Sequence, residues 1–473
     1  PYTEKAFFDF DPISDGDNAG LSIYIEKDLE NMRIESITSR RTSYNYEEQD
    51  VDFESVDQID ANTLIKDLEA VTQEIRVFSE NNEKVNWLLG AYYYQEDMEY
   101  TNSIYFGSLW RGYIDALAPG ALTSVAAAFG IPDSMLFAPG QGVKEFSTQD
   151  NSTTSIYAQL DIKLSDKLNA LIGASYIEDE KTVSINQVNT DIFSNLDFVG
   201  AGTLGLIAAG IPPSQAAILA TDPAYNPLLG LQGIQFLPQF VNYPNVAQDG
   251  KSNDDNIDYT FKLSYLLNES TTIYGGVSTG YKATAWNISR DSLPDAAETS
   301  ALAAAGTPVG PNTGLGRRYA DPEESEVFEL GAKILLPSGY LNIAIFDQKI
   351  EGFQSNTFVG TGFILANAGS QSSDGYEFDL VMSPTESIDL AISGLFMDPI
   401  YDSFPNSAAG DLSGTMPSNI SEDTISSTIT WNWNTSNWDG YFRLSHLYAS
   451  EAKLLENPAW QSILESAGNG IKT

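Results

Sequence analysis

Seven pairs of alternating apolar and polar segments run along this chain, and a turn of only a few residues joins the two segments of each pair. Polar or glycine-rich connections of about 20 to about 70 residues separate one pair from the next. The pairs cover residues 20–46, 71–106, 153–185, 257–286, 324–354, 374–397 and 424–448. Short turns at one end and long loops at the other are typical of a transmembrane antiparallel β-barrel, with short periplasmic turns and long extracellular loops.

The alternation inside the pairs has the period of a β-strand. In the third pair Ile156, Leu160 and Ile162 share one face, whereas Tyr157 and Asp161 share the other. Strands of about ten residues that are apolar outward and polar inward fit a tilted crossing of lipid around a wet interior. A soluble antiparallel sandwich shows the same alternation and stays open as an alternative. The segregation of loop lengths favours the barrel, and we expect fourteen strands with turns near residues 28–31, 81–82, 165–167, 268–270, 337–339, 384–386 and 434–437.

Composition narrows the function classes. The chain has 24 basic and 65 acidic residues and a formal net charge of −41, which repels nucleic acid. Cysteine is absent, so disulfides, thiolate metal sites and cysteine nucleophiles are excluded. His446 is the single histidine, which leaves one possible base for a catalytic triad. We expect no enzyme, no catalytic residue and no cofactor. The 24 Tyr and 7 Trp suit a protein with rings at two membrane interfaces.

Two short motifs are weak. Residues 200–205 (GAGTLG) match the dinucleotide fingerprint as a string, but no buried strand of a βαβ unit precedes them. Residues 15–18 and 254–256 resemble fragments of calcium loops without the twelve-residue spacing of an EF-hand. The sequence therefore predicts no nucleotide site and no dedicated metal site. Divalent cation binding by the acidic loops stays open.

The long connections are the candidate recognition elements. They cover residues 47–70, 107–152, 186–256, 287–323, 355–373 and 398–423. Two stretches in them, 114–137 and 199–240, are apolar and alanine-rich, and a short helix is expected at 214–221. The candidate ligand contacts are the aromatic and basic residues Trp110, Tyr113, Phe137, Phe236, Phe240, Arg317 and Arg318. Alternatively, the apolar residues only pack the loops against one another.

Several ordered segments carry a resemblance to a known family. They are residues 72–77 (TQEIRV), 87–94 (WLLGAYYY), 278–283 (STGYKA), 322–326 (PEESE), 329–333 (ELGAK), 344–346 (AIF), 350–354 (IEGFQ), 367–370 (NAGS) and 374–377 (DGYE). Together they span about 300 residues and resemble the barrel of TonB-dependent outer-membrane receptors, of the iron-complex receptor type. The resemblance implies an outer-membrane protein of a Gram-negative bacterium.

The resemblance also implies domains and strands of the receptor that the alternating segments of this chain do not show. The family has a 22-strand barrel that holds an N-terminal plug, preceded by a segment that contacts the TonB complex. Fourteen strands are predicted here, so residues 1–473 are expected to be an incomplete receptor barrel without the plug and without the final strands. About four strands are then missing at each end.

The implied function is active uptake of a scarce ligand, of which a siderophore or iron complex fits best, with energy supplied by TonB. The implied partners are the TonB complex (through the missing N-terminal segment), outer-membrane lipid and lipopolysaccharide, and the small ligand. A passive porin-like channel and a secreted acidic β-protein that binds polysaccharide stay open as alternatives.

Overall fold

One antiparallel sheet of fourteen strands makes up most of the molecule, as a computed structural model shows. The structure describes residues 8–52, 55–80, 82–235, 249–288, 300, 318–358, 363–405, 407, 410–455, 461–463 and 466. The predicted count of fourteen strands is confirmed.

The elements follow one another in chain order. The strands are β1 Ile13–Asp28, β2 Met32–Gln49, β3 Asn62–Ser79, β4 Val85–Tyr105, β5 Gly142–Lys163, β6 Leu168–Asn189, β7 Lys251–Asn268, β8 Thr271–Lys282, β9 Ala285–Trp286, β10 Tyr319–Ala320, β11 Glu323–Leu336, β12 Gly339–Glu351, β13 Gln354–Phe358, β14 Phe363–Asn367, β15 Ser370–Thr385, β16 Ile388–Ser403, β17 Asp423–Asn434 and β18 Asp439–Ala449. The α-helices are α1 Trp110–Leu117, α2 Ala121–Phe129, α3 Phe198–Ala208 and α4 Pro213–Leu219. Short 3₁₀ segments occupy Asp133–Met135 and Pro227–Ile234.

The large sheet is a meander in which each strand pairs with the next one along the wall. Its order is β1-β2-β3-β4-β5-β6-β7-β8-β11-β12-β15-β16-β17-β18, and every pairing is antiparallel. The two small ribbons β9–β10 and β13–β14 lie in the long connections. All seven predicted turns fall at the short junctions between paired strands, although residue 81 of the second turn lies outside the described residues.

The two faces of the sheet differ in chemistry, as the period-2 pattern predicted. Along the strands, apolar residues alternate with polar ones and project from one face of the sheet. These apolar residues are exposed, for example Leu89 (51%), Ile156 (58%), Phe261 (41%), Leu330 (57%) and Ile345 (54%). A soluble sandwich would cover such a face with a second sheet. Among the described residues the largest buried apolar cluster lies in the loops instead. The apolar face is therefore open to a nonaqueous surrounding.

The strands are longer than the alternation predicted. β5 and β6 have 22 residues each, about twice the length that crosses a bilayer. On the apolar face of β5 the run of apolar residues ends at Ile156, and polar residues such as Ser152 and Asp150 continue the strand as far as Phe146. The predicted connection 47–70 is thus wrong in its bounds, because β2 reaches Gln49 and β3 begins at Asn62. Beyond the apolar band the outer face is mostly polar, so the alternating hydrophobic signal weakens while the hydrogen-bonded ladder goes on.

A row of like charges crosses three neighbouring strands just past the apolar band. Asp347 of β12 pairs directly with Asp374 of β15, which pairs with Asp398 of β16. All three side chains are exposed. Directly opposed like charges destabilise a cross-strand pair, and dissolved salt weakens that repulsion.

None of the helices among the described residues has the length and apolar character to cross a membrane. The helix predicted at 214–221 is confirmed as α4, Pro213–Leu219. The dinucleotide-like string 200–205 lies inside α3, between Phe198 and Ala208, and not at a strand-to-helix turn. The two calcium-like fragments lie within β1 and β7 and form no loop.

Candidate functional site

Two long connections fold together at the loop end of the sheet. The connections β4–β5 and β6–β7 share one core with the adjoining strand ends and with Ile59 of the connection β2–β3, and we call this unit the loop cluster. Its buried residues are Ile59, Ile104, Phe106, Ile114, Leu122, Val125, Ala126, Leu136, Phe137, Val143, Phe193 and Phe198. Loops with a core of their own are held in a defined shape, as a recognition surface requires.

A chain of aromatic contacts runs through the loop cluster. Trp110 stacks on Phe106 at a centroid distance of 5.2 Å, and Phe106 meets Phe137 edge-on at 5.5 Å. Phe137 in turn stacks on Phe193 at 4.7 Å, which joins the two connections. Tyr113 lies 5.6 Å from the Trp110 ring. The rings thus continue from one connection into the other without a break.

The candidate contacts Trp110, Tyr113 and Phe137 differ in their access to a ligand. Tyr113 is 46% exposed, and Trp110 is half-buried. Phe137 is fully buried, with its ring packed against Phe106 and Phe193. Its positive φ of 52° marks a constrained backbone. Tyr113 is thus the most accessible of the three rings and Trp110 is partly accessible, while Phe137 serves the packing of the loops. Ligand contact by these residues stays a prediction.

Of the remaining candidates, the structure describes Arg318. Arg318 is fully buried, and its carbonyl accepts a hydrogen bond from the backbone of Asn287 at 2.7 Å. Phe236, Phe240 and Arg317 lie outside the described residues. Ligand contact by Arg318, and by the three candidates outside the described residues, stays a prediction.

One buried carboxylate stands out in the loop cluster. Asp191 is fully buried, and its oxygens accept hydrogen bonds from the backbone of Phe193 (3.0 Å) and Ser194 (3.2 Å) and from the Ser194 hydroxyl. It forms no ion pair with any described cation. Burial raises the pKa of Asp191 to about 6, and the three hydrogen bonds hold the pKa from rising further.

On the polar face of the sheet, tyrosine rings lie over glycines of the neighbouring strand. Tyr157 of β5 reaches over β4 and donates to Glu74 of β3 at 2.5 Å, while Arg76 donates to the same carboxylate at 2.6 Å. A Cβ atom at Gly90 would lie 2.1 Å from the Tyr157 ring, so only glycine leaves room for it. The polar face is therefore structured by fixed contacts and is not a uniform wet surface.

The motif residues at 350–354 and 367–370 form a junction between two connections. Asn367 Nδ2 donates to the carbonyls of Asp321 (2.8 Å) and Gly352 (2.6 Å), and its Oδ1 accepts from the Asp321 backbone (2.7 Å). Gln354 Nε2 donates to the carbonyls of Ala283 (2.9 Å) and Asp321 (3.0 Å). Gly352 has a φ of 66°, where a side chain is strained. These residues thus fix where the loops leave the wall.

The groups that could do chemistry are few. Within the described ranges, no three His, Cys, Asp or Glu side chains are arranged to hold a metal ion. His446 lies in β18, exposed on the apolar face, and pairs with Ser427.

Comparison with known families identifies the fold. The family described as TonB dependent receptor-like, beta-barrel matches residues 2–462. The chain belongs to this family. Membership in the TonB-dependent receptor β-barrel family confirms the resemblance found in the sequence and the β-barrel fold class. It also confirms that the protein is located in the outer membrane of a Gram-negative bacterium. It also removes the soluble polysaccharide-binding alternative. The polar face is then the lumenal face of the barrel.

Solved structures of the TonB-dependent receptor fold are similar to this chain. The ferric yersiniabactin uptake receptor FyuA from Yersinia pestis has 14% identity and a TM-score of 0.62, over 94% of this chain and 52% of that one. The ferric preacinetobactin receptor BauA from Acinetobacter baumannii has 13% identity and a TM-score of 0.55, over 94% and 54%. The copper transporter OprC has 9% identity and a TM-score of 0.54, over 91% and 52%. No curated protein matches.

The chain therefore spans about half the length of these structures. At such identities the likeness concerns the fold alone. The three proteins are named for different cargoes, two iron complexes and copper, so the fold does not fix the ligand.

Proposed function

We propose that this chain is the barrel part of an outer-membrane receptor that takes up a scarce ligand with energy supplied by the TonB complex. The observation that carries the proposal is the match of residues 2–462 to the receptor barrel family, on a sheet whose apolar face is uncovered. The plug and the TonB-contacting segment that this function requires are proposed parts of the whole receptor.

A siderophore or iron complex is the ligand class that we propose. Receptors for ferric yersiniabactin and ferric preacinetobactin share the fold, which supports it. The apolar face would contact outer-membrane lipid and lipopolysaccharide, and the loop cluster would meet the ligand through Tyr113 and Trp110. The rigid wall and the structured loops support capture of a ligand without chemical change to it.

The proposal is tested in the source bacterium with the complete receptor. We expect expression to rise under iron limitation, and we expect deletion of the gene to abolish uptake of iron-55 presented as one of several chelates. Uptake should also stop when the proton gradient is dissipated with an uncoupler. Uptake that persists after uncoupling would support a passive porin-like channel instead, and unchanged uptake in the deletion strain would refute the iron assignment.

A further inference from the structure

A short segment after β8 crosses the lumenal face of the barrel wall. We call residues 283–288 the strap. Three hydrogen bonds attach it to β7 and β5: Thr284 N to Asp254 Oδ2 (3.1 Å), Trp286 Nε1 to Ser252 Oγ (3.1 Å) and Ser147 Oγ to the carbonyl of Ile288 (2.8 Å). Trp286 and Ile288 also pack on the buried pair Val183 and Ile185 of β6. The strap is thus fixed to the wall and holds the Trp286 ring in place.

A pocket lies between the strap and the lumenal face of β3 and β4. Its volume is about 380 Å³, within the range of small-molecule sites. The lining side chains that matter here are Lys66, Met98, Tyr100, Trp286, Ile288 and Leu365. Two aromatic rings, a thioether and two aliphatic chains give the pocket an apolar body. Flat apolar molecules pack well against rings and against sulfur.

The charge of the pocket contrasts with the charge of the chain. Lys66 is the one charged side chain among the described residues that line it. It is half-buried and forms no ion pair with any carboxylate in the described part of the chain, although the chain as a whole carries a net charge of −41. An ammonium group in a partly desolvated pocket binds an anion more strongly than it does in open water.

The pocket lies above the lipid-crossing part of the wall. On β4 the apolar face is apolar up to Tyr93 and polar from Gln95 onward, and the strand runs on past Met98 and Tyr100. Lys66 pairs with Tyr100 at the same height. The pocket therefore belongs to the extracellular vestibule, where an incoming molecule first meets the wall.

We propose that this pocket binds an aromatic or otherwise flat apolar molecule that carries one anionic group. The anion lies against Lys66, and the flat part lies against Trp286 and Met98. The inference rests on the proposed uptake function and adds the chemistry of the ligand, or of the part of it that enters first.

The test uses the complete receptor in lipid nanodiscs and two probes of one shape, 2-naphthoate and its neutral analogue 2-naphthamide, with affinities measured by calorimetry. The unmodified chain is expected to bind 2-naphthoate about tenfold more tightly than 2-naphthamide. Lys66→Gln should remove this preference, and Lys66→Arg should retain it. Trp286→Leu should weaken both probes by a similar factor, because it removes the contact with the ring and leaves the charge.

The matched control is Lys163→Gln, which makes the same charge change far from the pocket. Lys163 pairs with Asp166 at 3.1 Å at the turn of the third hairpin, and its loss should leave both affinities unchanged. Equal affinity of the unmodified chain for the two probes overturns the proposal. A tenfold preference that survives in Lys66→Gln overturns it as well. The probe comparison on the unmodified chain decides the matter even if a variant fails to fold.

The iron uptake experiment separates this inference from the proposed function. If iron uptake fails while naphthoate binding depends on Lys66, the pocket stands and the uptake function falls. If uptake succeeds and the probes show no dependence on Lys66, the pocket assignment alone is wrong.

Discussion

The buried carboxylate of the loop cluster makes the stability of the extracellular loops depend on pH. Burial raises the pKa of Asp191 from an ordinary value of 3.8 to about 6. When the loops open, Asp191 meets water and regains its ordinary pKa. A difference of about two pKa units corresponds to about 3 kcal/mol in the free energy of opening.

The sign follows from which form the closed loops prefer. A raised pKa means that the closed loop cluster favours the protonated, neutral carboxyl group. Its contribution to stability is fully present below about pH 4 and is lost as the pH rises through about 6. We therefore expect the loop cluster to open more readily at pH 7 than at pH 4, by about two orders of magnitude in the opening equilibrium.

Hydrogen exchange measured by mass spectrometry checks this expectation, after correction for the intrinsic pH dependence of exchange. The amides near Phe193 should lose protection as the pH rises, and Asp191→Asn should abolish this change because its amide does not titrate. Asp222→Asn is the control, since Asp222 lies exposed in the same connection. The reasoning is refuted if Asp191→Asn shows the same pH dependence as the unmodified chain.

Three further predictions concern packing and charge. Phe137→Ala should destabilise the loop cluster by about 3–5 kcal/mol and expose its loops to limited proteolysis. Replacement of the exposed Tyr113 by Ala should change stability by less than about 0.5 kcal/mol, and equal cleavage of both variants would contradict the assigned core. Asp374→Asn should raise the free energy of unfolding in urea at low salt by up to about 1 kcal/mol, and about 0.5 M NaCl should erase the gain; a gain independent of salt would exclude the repulsion. Gly90→Val should displace the Tyr157 ring and lower the temperature at which heat-modifiable gel migration is lost, while Gly112→Ala, in open space, should not.

The sequence was sufficient to predict the number and order of the strands, but not how far each strand extends beyond the lipid. In this sheet the alternation between apolar and polar residues is clear only along the part of each strand where one face meets lipid and the other meets water. It therefore located the seven turns and fourteen strands, and it lost the strands where they rise past the lipid. Lys66 was placed in a loop for this reason, although it lies within β3. No local pattern distinguishes a strand that is wet on both faces from a polar loop.

The candidate site was predictable only in part. The apolar stretches correctly indicated folded loops, because alanine-rich segments in a polar connection need something to pack against. They could not show that Phe137 is buried and Tyr113 exposed, since that depends on contacts between two connections far apart in sequence. The alternation predicts Trp286 at the end of a strand, whereas β8 ends at Lys282 and Trp286 lies in the strap, and no local signal showed this. A tryptophan just past the extracellular end of a strand, where the alternation breaks, is the signal that could have found the strap.

The ring of Phe137 stacked on Phe193 means that the two longest described loops behave as one cooperative unit. A length change in either connection has to preserve the shared core or it unfolds both. Sequence changes in the two loops should therefore covary among relatives. A molecule that binds one loop should also change the conformation of the other.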